Sequence, residues 1–183
     1  MKRGAASTFL ANGTGAMLNA TLYLFPALML FAAWMDLFTM RIANWISLAL
    51  ALGFLPLALG VGLPPGLIGS HYLCGFFILC ITFTLFALGK IGGGDAKLAA
   101  ASAVWIGWDL LLDYLIAASL LGGALALLIL AARQFPLPLA LLRWPWIVRL
   151  HEPRNGMPFG VALGVGAIIV YPQTAIWLGT LGA

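Results

Sequence analysis

Apolar residues fall along this chain in long unbroken runs, not in alternation. The runs cover residues 17–35, 44–62, 70–88, 98–132 and 157–178. A membrane-spanning helix takes about 20 apolar residues, so four of these runs predict one helix each. The run 98–132 is too long for one crossing and is interrupted only by Asp109 and Asp113. It predicts two helices joined by a tight turn near Trp108 and Asp109. The first of the two, residues 96–108, is short. At about 1.5 Å per residue it covers only about 20 Å, which places its start, beside Asp95, slightly below the membrane surface. Continuous runs do not suit a β-barrel, whose strands alternate. A Pro-Pro-Gly turn at residues 64–66 and the triple glycine Gly92-Gly93-Gly94 break the pattern between runs.

Composition agrees with the pattern. Only 8% of the residues are charged and 63% are hydrophobic. A soluble domain carries about 25% charged residues. Nine basic and five acidic side chains cannot coat such a chain in water. The expectation is an all-α, polytopic membrane protein with about six transmembrane helices and no soluble domain. It divides into an N-terminal segment, 1–16, and a single membrane-embedded core, 17–180. Cys74 and Cys80 lie in an apolar run, and a structural zinc site needs four ligands, so neither a metal nor a cofactor is expected.

Charge sets the orientation. The loops after helices one, three and five hold Arg41, Lys90, Lys97, Arg133, Arg143, Arg149 and Arg154, against Lys2 and Arg3 on the other side. The positive-inside rule puts those loops in the cytoplasm and both termini outside. In the long connection 133–156, Trp144 and Trp146 stand among the arginines, which suits a segment in the headgroup layer touching membrane lipids. No folded basic surface is indicated, so no nucleic-acid partner is expected.

The carboxylates carry the candidate chemistry. Asp36 and Asp95 each sit where a helix meets a cytoplasmic loop. Two carboxylates brought close share one proton. One can then act as base on a water and the other as acid toward a carbonyl oxygen, as in aspartic proteases. Gly92 and Gly94 would let the backbone approach closely or adopt unusual conformations. Asp95 is expected at the N-cap of the next helix and as the more acidic of the pair, with Lys97 nearby. Read from spacing alone, Asp95 is equally a plain helix cap, and Asp36 a helix-end charge paired with Arg41. Asp109 and Asp113 read as turn and helix-start carboxylates, Glu152 as a surface ion pair, and His71 and His151 as interfacial residues. Gly160 and Gly164 form a small-xxx-small pair suited to close helix packing.

These residues form a resemblance. Gly92-Gly93-Gly94-Asp95-Ala96-Lys97-Leu98 resembles the GxGD-x-K-L pattern of the type IV prepilin peptidases. Asp36 followed by Arg41-Ile42-Ala43-Asn44-Trp45 is similar to that family's first aspartate segment, with Ala43 where the family has proline. Met157-Pro158-Phe159-Gly160-Val161-Ala162 looks like its closing P-[YF]-G-x-A segment. The length resembles the compact, tight-adherence (Flp pilus) branch, which lacks the tetracysteine domain of methylating members. The resemblance implies a hydrolase with Asp36 and Asp95 as catalytic pair and Gly92, Gly94, Lys97, Asn44, Pro158 and Gly160 in support. It implies cleavage after a glycine, where a basic leader meets the hydrophobic helix of a prepilin or pseudopilin. The location implied is the cytoplasmic face of a bacterial inner membrane. Two other readings use the same residues. A small transporter or ion-relay subunit would carry protons on Asp36 and Asp95, and predicts internal repeats and water access from both faces. A scaffold without chemistry gives no reason for the segment 92–95.

Overall fold

The computed structural model describes residues 22–181; the N-terminal segment 1–16 and the start of the first predicted run lie outside the described residues. Every regular element described is helical. In chain order they are α1 (Leu24–Thr39), α2 (Asn44–Gly60), α3 (Pro65–Ala87), α4 (Gly93–Arg133), a 3-10 turn at Leu139–Leu141, α5 (Pro145–His151), α6 (Phe159–Val170), a second 3-10 turn at Tyr171–Gln173, and α7 (Ala175–Leu181). The predicted Pro-Pro-Gly turn is present. Pro64 is extended and Pro65 opens α3, where a missing N–H leaves no helical bond unmade.

α4 is not one rod. Straight, its 41 residues would reach about 60 Å. Yet both its ends meet the same short segment. Asp95 shares a cavity with Gly156, Met157 and Phe159, and Arg133 donates hydrogen bonds to the carbonyls of Asn155 and Gly156. The helix therefore doubles back, and the reversal is at Gly107, with φ 73° and ψ 178°. That backbone region is essentially restricted to glycine. The sequence pattern placed the turn one residue later, at Trp108–Asp109. Asp109 and Asp113 open the returning limb as exposed carboxylates, in keeping with their predicted place.

His71 holds the reversal. Expected at the interface, it is instead buried, with Nδ1 2.8 Å from the Val104 carbonyl and its ring stacked on Phe54. A Cβ on Gly107 would lie 2.6 Å from its ring. With the reversal counted, the longer apolar rods among the described residues are α1, α2, α3, the two limbs of α4, and α6. α3 and α4 are long and apolar enough to cross a membrane, and α1, α2 and 159–173 are shorter apolar helices. Large side chains such as Leu52, Phe76, Leu112 and Leu127 face outward. This is a membrane protein.

Lipid tails are as apolar as leucine, so helices in a membrane associate through close packing and hydrogen bonds. Both are found here. Gly75 lies against Ala100 and Val104, Gly166 against Ala118, and Gly122 under the Phe159 ring. Gly164 lies under Met29 and Ala33, so the packing expected of the Gly160–Gly164 pair is that of α6 on α1. At the centre Phe25, Phe54, Trp105 and Tyr171 form one aromatic cluster. The buried Trp105 indole N–H donates to the Leu50 carbonyl at 2.8 Å.

Substituting Gly107→Ala is expected to destabilise the fold by about 2–5 kcal/mol, from backbone strain plus overpacking against His71. Thermal unfolding of the purified variant in detergent measures this.

Candidate active site

Asp36 lies in the last turn of α1 and is only 5% exposed. Its carboxylate accepts a hydrogen bond from the Gly160 N–H at 2.7 Å. Gly160 is the second residue of α6, so the donor is one of the free N–H groups at a helix N-terminus, where the helix dipole favours negative charge. The approach allows no side chain. A Cβ on Gly160 would lie 2.8 Å from Asp36 Oδ2 and 2.7 Å from Ile42 Cδ1. The buried Pro158 precedes this turn as its N-cap.

Asp95 approaches from α4. The N-cap there is Gly92, in extended backbone, and Asp95 is the third helical residue, contrary to the expectation that it caps the helix itself. Its carboxylate turns back toward Gly92, the cap residue three positions earlier. None of the three glycines has positive φ. They serve by lacking a side chain. A Cβ would lie 3.0 Å from Asp95 Oδ2 at Gly92, 3.1 Å from Phe86 at Gly93, and 3.1 Å from Ile42 Cβ at Gly94. Gly94 thus lets the start of α4 lie against the loop that follows α1.

The two carboxylates open on one cavity of about 520 Å³, and the Asp36 charge acts on Asp95 across it. Met40, Lys90, Ile91, Met157 and Phe159 complete its wall. Sequence reasoning gave Lys90 a part in orientation alone and the others no role, although Met157 and Phe159 stand within the closing motif. Met40 carries no sequence signal. It ends α1 in the left-handed region, φ 51°, rare for a residue with a side chain, and its N–H bonds the Asp36 carbonyl. Thr39 steadies this bend, its hydroxyl within hydrogen-bond distance of the Met35 and Arg41 carbonyls.

Arg133 was also missed. It read as a juxtamembrane charge, but its guanidinium donates to the carbonyls of Leu150, Asn155 and Gly156. This clasp fixes the segment leading into the cavity wall and the α6 N-terminus. Several expectations are corrected. Lys97 and Asn44 do not face the cavity: Lys97 Nζ donates to Asn44 Oδ1 at 3.0 Å on another side of α4. Residues two apart on a helix point about 200° apart, which separates Lys97 from Asp95. Arg41 and Glu152 are exposed, and neither forms the expected ion pair.

Two helices of a membrane bundle thus present a carboxylate pair to one walled cavity, an arrangement suited to acid–base chemistry on a bound substrate. The family model of the type IV leader peptidase family matches residues 23–127, more than half of the chain, and the chain belongs to that family. The protein is therefore a peptidase. The matched region contains Asp36 and Asp95, while the segment 157–162 lies beyond it. No curated protein and no solved structure matches the chain.

Substituting Gly160→Ala is expected to displace Asp36 and lower peptidase turnover by about 10- to 100-fold, the value of one hydrogen bond to a charged group. Gly123→Ala, at a helical site with open space around it, is expected to leave turnover unchanged. Cleavage rates of the two purified variants check this.

Proposed function

We propose that this peptidase is an aspartic endopeptidase that removes the leader from type IV or Flp-type prepilins and pseudopilins. The observation that carries the reading is the opening of Asp36 and Asp95 onto a single cavity from two different helices. One carboxylate, ionised, takes a proton from a water as its oxygen attacks the scissile carbonyl carbon. The other, protonated, gives its proton to the carbonyl oxygen. The resulting tetrahedral diol collapses as one of its hydroxyls returns a proton to the ionised carboxylate, the C–N bond breaks, and the leaving amine takes up the proton of the other carboxyl. The cycle ends with one proton shared again, and it uses neither a metal nor a covalent intermediate. Gly160 supports Asp36, Gly92 supports Asp95, and Gly94 and Pro158 shape the two turns that hold them. Lys97 and Asn44 support the site from behind by joining the starts of α2 and α4.

The substrate class follows from the motifs and from the setting. A prepilin helix would lie in the bilayer along the helices of the bundle, with its basic leader at headgroup level beside the aspartates. The excess of basic residues in the loops at that end favours the cytoplasmic face of a bacterial inner membrane. The resemblance to the compact branch supports leader removal and gives no support to methylation of the trimmed pilin. Both carboxylates open at one end of the bundle, which favours hydrolysis there over an ion path through it.

Co-expression with an Flp-type prepilin tests the proposal through the mobility shift of the substrate. Wild type is expected to produce the shift, while Asp36→Asn and Asp95→Asn, expressed at equal levels, produce none. Cleavage surviving in either variant would overturn the two-carboxylate mechanism. The purified wild type is also expected to show a bell-shaped pH–rate profile. Its acid limb falls as the base becomes protonated, and its alkaline limb as the acid loses its proton. Initial rates across pH measure this.

A further inference from the structure

On the side of α4 away from the aspartates, α2, α3 and α4 leave a groove of about 540 Å³. Most of it is apolar. Leu48, Phe76 and Leu79 form exposed rims, and Gly75, Ala100 and Val104 line the trough between them. The rim residues face outward from the bundle, so the groove opens sideways toward lipid.

Its end near the start of α4 is polar, and every polar side chain there can donate. Lys97 Nζ uses one of its three protons on Asn44 Oδ1. The Asn44 amide N–H groups make no hydrogen bond within the protein. One turn deeper on the same face of α2, Ser47 is 92% buried, from its 8% exposure, and its hydroxyl has no partner. That hydroxyl is enclosed by protein atoms beneath the groove floor, so the donors open to a ligand are those of Lys97 and Asn44. No carboxylate lines the groove. A positive charge and a neutral amide donor at headgroup level, above an apolar trough, complement an anion that carries an acyl chain.

We propose that this groove binds one anionic phospholipid. Its phosphate sits on Lys97 and Asn44, and an acyl chain runs down the trough between α2, α3 and α4. A zwitterionic lipid is disfavoured because its own ammonium group would approach Lys97. A basic leader peptide is disfavoured for the same reason. The site is separate from the aspartate cavity, so it stands or falls independently of the peptidase mechanism. Lys97 and Asp95 share the first two turns of α4, so a lipid held here anchors that end of the helix to the membrane surface.

Native mass spectrometry of the purified full chain tests this, with phosphatidylglycerol and phosphatidylcholine of identical acyl chains supplied in equal amounts. Wild type is expected to retain one phosphatidylglycerol, preferred by roughly tenfold, the value of a hydrogen bond to a charged group. Lys97→Gln is expected to abolish the preference. Ala51→Phe, which fills the trough and leaves Lys97 and Asn44 in place, is expected to reduce retention of both lipids. Arg149→Gln, which removes a cation from the loop 133–156, is expected to change nothing. Circular dichroism confirms that each variant keeps its helix content. Equal retention of the two lipids by wild type would overturn the proposal, as would a preference that survives Lys97→Gln. So would a preference lost equally in Arg149→Gln, or a co-purifying peptide in place of lipid.

Discussion

The hydrogen bond from the Gly160 N–H to the Asp36 carboxylate joins the first described helix to the start of α6. It exists only because position 160 has no side chain, since a Cβ would collide with both Asp36 and Ile42. Around this contact the rest of the site is arranged. α6 lies on α1 through Gly164, Phe159 and Met157 are delivered to the cavity wall, and the segment before them is clasped by Arg133. A buried carboxylate without a donor would be costly, so the contact stabilises the fold and prepares the site at once.

The second constraint is the reversal of α4 at Gly107. It returns the helix so that Asp95, at its start, and Arg133, at its end, both lie at the segment 155–157. Glycines let α3 and α6 approach the two limbs closely, around an apolar core that the limbs share with α1 and α2. This is the expected solution where the surroundings are already apolar and burial between helices gains little. Leucine and phenylalanine are left facing outward, toward lipid.

Much of this was legible in the chain. Unbroken apolar runs gave the rods and their order, and the excess length of the run 98–132 gave the doubling back to within one residue. The helix-start role of Asp109 and Asp113 followed from the same run. The pairing of Asp36 with Asp95 came from their matching positions at helix ends and from the motifs around them. What escaped was set by tertiary approach. Gly92–Gly94 suggested unusual backbone, but their torsions are ordinary, and the space they leave is what matters. The side of α4 on which Lys97 falls separates it from Asp95, although the motif joins them. Arg133 is one arginine among several in the sequence, and only the folded loop reveals the three carbonyls it holds. The left-handed turn at Met40 and the burial of His71 carry no local signal at all.

The central claim is that Asp36 and Asp95 work as a single catalytic unit on one cavity. It is tested most directly by the cleavage rates of Asp36→Asn, Asp95→Asn and the double variant, reconstituted in vesicles with a leader-bearing substrate. Residues that act as a unit are strongly non-additive, so the double variant should be no slower than the slower single variant. Losses that multiply in the double variant would contradict the account, because they would mean that the two carboxylates contribute independently.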